Sequence, residues 1–237
     1  MPIFSSPDRK PLAVFGASGH AKVVLDIVER QSVYETVSLL DRYKPSGTEC
    51  GGFHVNGSLE DLRAARSRHP ALEVVVAIGD NWARARIAAE LEQVCPGIRF
   101  AIVIHPSAEI GRDVDVGAGT VIMAGAVVNP AARIGEGCIL NTRASLDHDS
   151  TMGRFASLGP AATIGGGVQI GEYSSVGMGA TVIQELSVGA HTVIGAGAVG
   201  VRSIPDSVVA FGTPARVIRR RQPGDRYLGE ALTAIRG

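Results

Sequence analysis

The second half of this 237-residue chain repeats an aliphatic residue at every sixth position, without a slip from residue 104 to residue 194. Gly most often follows that residue, and a small side chain most often stands two positions before it. The sixteen members of the series are Ile104, Ile110, Val116, Ile122, Val128, Ile134, Leu140, Leu146, Met152, Leu158, Ile164, Ile170, Val176, Val182, Val188 and Ile194. A helix repeats every 3.6 residues and a flat strand every two, so neither produces this period. A triangular solenoid does, with one hexapeptide on each side, the aliphatic residue inside and Gly or a small residue turning the corner.

Composition agrees with a stacked repeat. Aromatic residues make up only 5% of the chain, while Gly reaches 30 residues. A layered core needs more large rings to fill its volume than a regular stack of medium-sized aliphatic residues does. A β sandwich would instead show turn signals about every 8–12 residues in no fixed phase. With three sides to a coil, the repeat predicts about five coils.

Residues 12–104 have a different pattern, in which short apolar runs alternate with segments of helical period. Strands are predicted at 12–15, 36–40, 73–78 and 100–104. Helices are predicted after Gly19, over 59–68 behind Ser58 as N-cap, and over 82–94. Strands that alternate with helices indicate a small parallel α/β sheet.

Charge and cysteine usage exclude several classes of function. Lys plus Arg and Asp plus Glu both total 23, so no net field favours nucleic acid or a membrane surface. Cys50, Cys95 and Cys138 form no CxxC pair, which argues against structural zinc and a secreted disulfide scaffold. No signal-peptide pattern or membrane-spanning apolar run is present. We expect a soluble, cytoplasmic protein with no metal, nucleic-acid or membrane partner.

Two further motifs carry a resemblance to a known family. Residues 104–218 resemble the hexapeptide-repeat acyltransferases, and the closing FGTPAR stretch at 211–216 is similar to that family's signature. The stretch GASGHAKVV at 16–24 is similar to the PglD/NeuD type of sugar acyltransferase. The resemblance implies a small α/β nucleotide-sugar-binding domain (1–104), a left-handed parallel β-helix (105–218) and a short C-terminal tail (219–237). It also implies a homotrimer with active sites between subunits.

The sequence Asp147-His148-Asp149 replaces the usual corner glycine with acid–base groups. Amide formation from a thioester needs a group that takes a proton from the attacking amine, and His titrates in the right range. A neighbouring carboxylate can orient the ring and stabilise the imidazolium. The resemblance assigns His148 as the general base and Asp149 as its partner.

Gly166 lies one coil, eighteen residues, after His148. The resemblance assigns its amide as the donor that stabilises the developing oxyanion, and thus as part of the acetyl-CoA site. The adjacent Gly165 is interpreted as a corner residue only. For Asn141, the family motif implies contact with the sugar near the acceptor nitrogen, and a stacking role inside the solenoid is the alternative. Ser157 departs from the family pattern, in which many relatives carry a second His.

The N-terminal domain offers a set of polar loop residues at one sheet edge. The loop Gly16-Ala17-Ser18-Gly19 follows a strand and opens a helix, so its amides can bind phosphate. The predicted substrate-binding residues are Gly16, Ser18, Gly19, His20, Asp41, Gly79, Asn81 and Arg84. Ordinary turn and capping chemistry is the alternative for each of them.

Arg216, within the closing signature, is predicted to bind CoA phosphates, whereas the arginines that follow it are interpreted as a solvated face.

These observations predict an acetyl-CoA-dependent N-acetyltransferase that modifies a nucleotide-linked 4-amino sugar. The nucleotide is UDP or GDP, and GDP-perosamine is one example of the substrate. Two alternatives stay open at this point. The first is O-acetylation of a sugar hydroxyl, such as that of a sialic acid, and the second is a non-catalytic nucleotide-sugar-binding scaffold.

Overall fold

The computed structural model describes residues 9–227, in which an α/β unit is followed by a parallel β-helix. The α/β unit contains β1 (Lys10–Phe15), α1 (Gly19–Gln31), β2 (Tyr34–Leu40), β3 (Glu49–Cys50), β4 (Phe53–His54), α2 (Leu62–Arg68), β5 (Glu73–Val76), α3 (Asn81–Val94) and β6 (Arg99–Phe100). Both predicted architectures are confirmed. The predicted tail lies outside the described residues from 228 onward, as do residues 1–8.

The α/β unit is a four-stranded parallel sheet in the order β2-β1-β5-β6. Its central strand β1 is buried on both faces, as expected for an aliphatic run in a parallel sheet. One face packs on α1, and the other packs on α2 and α3. This arrangement leaves the carboxyl ends of the strands open at one edge, where α/β folds bind ligands.

The β-helix is built from two-residue strands on three faces. Face 1 contains β7 (Val103–Ile104), β10 (Val121–Ile122), β13 (Ile139–Leu140), β16 (Ser157–Leu158), β19 (Ser175–Val176), β22 (Val193–Ile194) and β24 (Val208–Phe211), with β25 (Arg216–Arg220) antiparallel at its end. Face 2 contains β8 (Glu109–Ile110), β11 (Val127–Val128), β14 (Ser145–Leu146), β17 (Thr163–Ile164), β20 (Thr181–Val182) and β23 (Val199–Gly200). Face 3 contains β9 (Asp115–Val116), β12 (Arg133–Ile134), β15 (Thr151–Met152), β18 (Gln169–Ile170) and β21 (Ser187–Val188).

Neighbouring strands on each face pair in parallel with a register of eighteen residues, as in Val121 opposite Ile139. The aliphatic residue of the period is the second residue of every strand from β7 to β22. Fifteen of the sixteen pack in the core, whereas Ile110 in the first coil is 39% exposed. Five full coils are followed by a sixth, whose third side is a single bridge between Val188 and Ile204. The predicted count of about five is therefore one short of the observed stack.

The residue that turns each corner of the β-helix is not the one predicted from the sequence. The left-handed residue stands three positions after the aliphatic one, as at Arg143 and Asp149, with φ near +60°. The glycine directly after the aliphatic residue does not supply positive φ. At Gly153, a Cβ would come within 2.5 Å of the backbone nitrogen of Glu172 in the next coil. Glycine is needed there because successive coils approach each other closely.

Three local elements also differ from the sequence-based expectation. The predicted strand 100–104 is two strands, because β6 belongs to the α/β sheet and β7 is already the first strand of face 1. Helix α2 begins at Leu62 with Asp61 at its N-cap, and Ser58 instead bonds to the Asp61 carboxylate. The β3–β4 hairpin was not predicted.

The two units share a core. Helix α1 packs between the α/β sheet and face 1, and the outward residues Val103, Val121 and Ile139 of face 1 are buried in that cluster. Face 1 is therefore largely covered, whereas faces 2 and 3 remain on the outside of the chain.

Candidate active site

His148 lies at the corner between face 2 and face 3, in the connection from β14 to β15. Its Nδ1 is 2.7 Å from Asp149 Oδ2, and 61% of the imidazole side chain is exposed. The hydrogen bond that the ring donates to the Asp149 carboxylate, reinforced by the charge of Asp147, raises the pKa of His148 above its ordinary value. With Nδ1 engaged by the carboxylate, Nε2 is the nitrogen free to accept a proton.

Asp147 holds the backbone that carries His148. Its Oδ1 accepts hydrogen bonds from the His148 backbone N–H at 2.8 Å and from Asn129 Nδ2 at 2.6 Å. The His148 N–H, followed by the Asn129 amide, lowers the pKa of Asp147, which keeps the carboxylate charged. Asn129 was missed by sequence reasoning. It stands eighteen residues before Asp147, so a comparison of corner residues in successive coils would have found it.

Gly166 occupies the same corner one coil further along. A Cβ at this position would come within 2.6 Å of His148 Nε2, so the ring lies directly over the glycine backbone. The neighbouring Gly167 N–H donates to the His148 carbonyl at 2.9 Å, which links the two corners. The Gly166 N–H donates to no acceptor among the described residues. It is free to donate to a ligand beside the imidazole.

The edge of the α/β sheet holds the first of two relevant cavities. This sheet-edge cavity, of about 370 Å³, is lined by Gly16, Ser18 and Asp41 together with Arg42, Lys44 and Arg86. Gly16 has φ of +111°, and a Cβ there would come within 2.9 Å of the Ala77 carbonyl oxygen. Glycine is therefore required where the chain turns from β1 into α1.

Asp41 organises this edge. Its Oδ2 accepts from the Ala17 N–H at 2.8 Å, and its Oδ1 accepts from the Tyr43 and Lys44 N–H groups at 2.8 and 3.0 Å. The carboxylate therefore fixes the loop before α1 relative to the turn after β2. A Cβ at Gly19 would meet no atom within 4 Å, so the start of α1 is open to an approaching group.

The second cavity, of about 420 Å³, lies between the start of α1 and face 1. Its polar lining residues are His20, Asn141, Ser157, Ser175 and Tyr227, and Gly79 also borders it. We call this space the inter-domain cavity. Its volume and that of the sheet-edge cavity fall in the range of small-molecule sites.

Comparisons with known proteins agree with both halves of the chain. A family model described as the PglD N-terminal domain matches residues 11–91. PerB from Caulobacter crescentus, solved in complex with CoA and GDP-perosamine, is 36% identical with a TM-score of 0.81 over 87% of this chain and 96% of that chain. The acetyltransferase domain of PglB from Neisseria gonorrhoeae FA1090 is 33% identical, also with a TM-score of 0.81, over 89% of this chain and all of that domain (100%). This chain belongs to the PglD-type sugar acyltransferases.

The alignment with a curated relative covers a smaller part of the chain. The UDP-N-acetylbacillosamine N-acetyltransferase of Bacillus subtilis (strain 168) is 36% identical over 118 residues, which are 48% of this chain and 52% of that protein. The chain thus aligns with about half the length of this relative. Within residues 9–227, no helix is long and apolar enough to cross a membrane, and no cluster of three His, Cys, Asp or Glu side chains could hold a metal ion.

In this PglD-type acyltransferase, the side chains of Arg84 and Asn81 are engaged in hydrogen bonds between α3 and the β-helix. Arg84 is fully buried and donates to four carbonyl oxygens and to Asn81 Oδ1, at distances of 2.7–3.1 Å. The Asn81 amide donates in turn to the carbonyls of Tyr173 and Ser174. Their assignment to the substrate site stays a prediction, and the structure gives both side chains hydrogen-bond partners within the protein. They join α3 to the β-helix, and their N–H groups are already used.

The arginines after the last coil fall into two groups. Arg216, Arg219 and Arg220 are exposed on β25, so the predicted CoA contact of Arg216 meets no steric obstacle. Arg221 is 6% exposed and donates to the His191 and Asp225 carbonyls. The expected solvated run therefore ends one residue earlier than the sequence indicates.

The predicted site residues of this PglD-type chain form two separate groups. His148, Asp149 and Gly166 lie together at the corner between faces 2 and 3. Asn141 lies at the corner between faces 1 and 2, beside His20 and Gly79 in the inter-domain cavity. Face 2 separates the two groups within one chain.

Proposed function

We propose that the protein is an acetyl-CoA-dependent N-acetyltransferase that acts on the amino group of a nucleotide-linked 4-amino sugar. The observation that carries this proposal is the packing of the His148 imidazole over Gly166 with Asp149 on its other nitrogen. It pairs a proton acceptor with a free backbone donor, which are the two groups that acyl transfer from a thioester requires.

His148, Asp149 and the Gly166 N–H each have one role in the proposed reaction. The amine nitrogen of the sugar attacks the thioester carbonyl carbon, and His148 Nε2 takes a proton from that nitrogen. The oxygen that gains negative charge accepts a hydrogen bond from the Gly166 N–H. The carbon–sulfur bond then breaks and coenzyme A leaves as a thiol, protonated from the His148 imidazolium. Asp149 stabilises that imidazolium while it exists.

The sheet-edge cavity is the proposed nucleotide site. Arg42, Lys44 and Arg86 supply positive charge there, and the open amides at the start of α1 favour phosphate. Two relatives differ in their nucleotide, since PerB was solved with GDP-perosamine and the Bacillus subtilis protein is named for a UDP sugar. Arg216 on β25 is the proposed contact for CoA phosphate groups.

A homotrimer would unite the two groups of residues. Consider three chains arranged around a threefold axis with face 2 toward that axis. The two corners beside face 2 then meet their counterparts in the neighbouring chains. His148 of one chain would approach Asn141 and the inter-domain cavity of the next chain. The outward residues of face 2 favour such contact, because all except the first are uncharged: Glu109, Val127, Ser145, Thr163, Thr181 and Val199.

Release of CoA from acetyl-CoA tests the proposal. Acceptors are a UDP-linked and a GDP-linked 4-amino sugar, the matching nucleotide sugars without an amine, and a sialic acid. We expect turnover with one amino sugar, and no turnover with its hydroxyl counterpart. Turnover with sialic acid alone would replace N- by O-acetylation. Binding of the nucleotide sugar with no turnover would favour a scaffold.

A further inference from the structure

The inter-domain cavity is lined by uncharged side chains. Among its described lining residues there is no Lys, Arg, Asp or Glu, in contrast to the sheet-edge cavity with Arg42, Lys44, Arg86 and Glu90. A diphosphate would gain no countercharge in the inter-domain cavity, whereas hydroxyl and neutral amine groups would find hydrogen-bonding partners. This difference matches the two ends of a nucleotide sugar, with the nucleotide at the sheet edge and the sugar ring between the domains.

His20 contributes a neutral imidazole to this cavity. Burial, together with the nearby Arg84 charge, lowers the pKa of His20 to about 4, so the ring carries no charge at neutral pH. Its Nε2 is buried and finds no hydrogen-bond partner among the described residues. A buried nitrogen in this state is costly unless a ligand completes it.

A C-terminal segment, which we call the strap (residues 221–227), contributes Tyr227 to the lining of this cavity. Arg221 fixes its start through hydrogen bonds to the His191 and Asp225 carbonyls, and its guanidinium lies 5.5 Å from the centre of the Tyr227 ring. Gly224 lies against Trp82 of α3, where a Cβ would come within 3.1 Å of the indole nitrogen. The strap is therefore packed on both the α/β unit and the β-helix.

Tyr227 places its hydroxyl at the cavity. The hydroxyl oxygen accepts a hydrogen bond from the Asn81 N–H at 3.3 Å, and the Ser157 side chain is a further hydrogen-bond partner of this oxygen. Burial raises the pKa of Tyr227 above its ordinary value, despite the opposing charge of Arg84. The phenol stays protonated in any neutral buffer and keeps one O–H to donate.

We infer that Tyr227 is a specificity-determining residue that donates its phenolic O–H to a hydroxyl of the acceptor sugar, opposite His20 in the inter-domain cavity. The inference rests on the proposed function, because it assigns the sugar to this cavity. This role for Tyr227 gives the strap an influence on which acceptor is bound. The residue lies outside the hexapeptide repeat and outside residues 11–91, which match the PglD N-terminal domain.

Calorimetry on the full-length protein tests this without requiring turnover. The probes are a nucleotide 4-amino sugar, GDP-perosamine or its UDP-linked counterpart, and the nucleoside diphosphate alone. Tyr227→Phe removes only the hydroxyl, and Arg226→Ala is the control because it changes an exposed strap neighbour that does not line the cavity. We expect Tyr227→Phe to weaken nucleotide-sugar binding by roughly fivefold to tenfold, as for the loss of one neutral hydrogen bond. Binding of the nucleoside diphosphate should stay unchanged in both variants.

Two results would overturn the inference while leaving the proposed function intact. One is unchanged nucleotide-sugar binding in both Tyr227→Phe and Tyr227→Ala. The other is an equal loss for the nucleotide sugar and the nucleoside diphosphate, which would mean that the strap supports the whole fold of the site. If the wild-type protein binds neither nucleotide sugar, the proposed function and this inference fall together. Thermal melting of each variant separates a binding loss from unfolding.

Discussion

At the scale of single residues, the arrangement around His148 explains how an exposed imidazole can serve as a base. Asp149 is hydrogen-bonded to Nδ1 of the ring. The Asp147 carboxylate accepts hydrogen bonds from the His148 backbone N–H and from the side-chain amide of Asn129. Gly166 leaves room for the ring, because any side chain there would collide with it. The ring position is therefore fixed from three sides although most of its surface is exposed.

The raised pKa of His148 gives a pH prediction. The proposed base acts only when unprotonated, so kcat/KM should fall as pH drops through a pKa above the ordinary value of His. Asp149→Asn removes the first cause of that raised pKa. We expect the acidic limb of the pH–rate profile to move to lower pH, and the plateau rate to fall roughly tenfold as the imidazolium loses its partner.

Asp113→Asn is a matched control for this substitution. Asp113 stands two coils earlier at the same corner and has the same left-handed backbone, with φ of 58° against 59° for Asp149. Its profile should match the wild type. An acidic limb that stays in place in Asp149→Asn would contradict the assignment of Asp149 as the partner of the base.

At the scale of elements, the buried guanidinium of Arg84 is a main attachment of α3 to the β-helix. Arg84 donates to the carbonyls of Ile78 and Gly79 within the α/β unit and to those of Gly137 and Phe155 in the β-helix. Hydrogen bonds from a charged group are stronger than neutral ones, and the carbonyls would be left unpaired without it.

Arg84→Met should therefore destabilise the protein by about 3–5 kcal/mol, because similar volume is kept but the buried carbonyls lose their donor. The free energy of unfolding in urea measures this. Arg86→Ala, on the same helix, removes a largely exposed guanidinium 4.0 Å from Glu90 and should change stability little. Equal stability of Arg84→Met and wild type would refute the role given to this contact.

The β-helix could be predicted from the sequence, whereas the contact between the two units could not. The six-residue period predicted the β-helix, because the inward position of every coil needs the same kind of side chain. Arg84 and Asn81 were assigned to substrate because they follow a strand at the ligand edge of the sheet. Only the packing of a second unit against that loop buries them, and such a contact leaves no periodic signal. Tyr227 was missed for the same reason, since it belongs to no motif.

At the scale of the whole molecule, the proposed function needs two groups of residues that lie apart in a single chain. The corner with His148 carries the proposed base and oxyanion donor, and the opposite corner of face 2 borders the inter-domain cavity proposed for the sugar. In the proposed cyclic trimer, two neighbouring chains would complete each site, and this arrangement predicts complementation between defective subunits.

Two variants provide the test, one defective at the His148 corner and the other defective in the proposed nucleotide-sugar site. His148→Ala removes the base. Ser18→Asp places a negative charge at the proposed diphosphate position, and the fold should tolerate it because Ser18 is exposed, makes no side-chain cap bond, and Asp is a good N-cap. Each variant alone should form trimers with little turnover. Trimers formed from both in equal amounts should recover roughly a quarter of wild-type activity, because a site is active only where an intact His148 meets an intact neighbouring cavity.

Carrying different affinity tags on the two variants allows mixed trimers to be purified before assay. Two differently tagged His148→Ala chains are the control, and these should stay inactive because every site lacks its base. Absence of recovery in the mixed trimers would place both halves of the site within one chain. Recovery of roughly one third in the purified mixed trimers, in which one of three neighbour pairs is intact, would instead require His148 to act on a sugar held by its neighbour, since no chain in the mixture contains both intact halves.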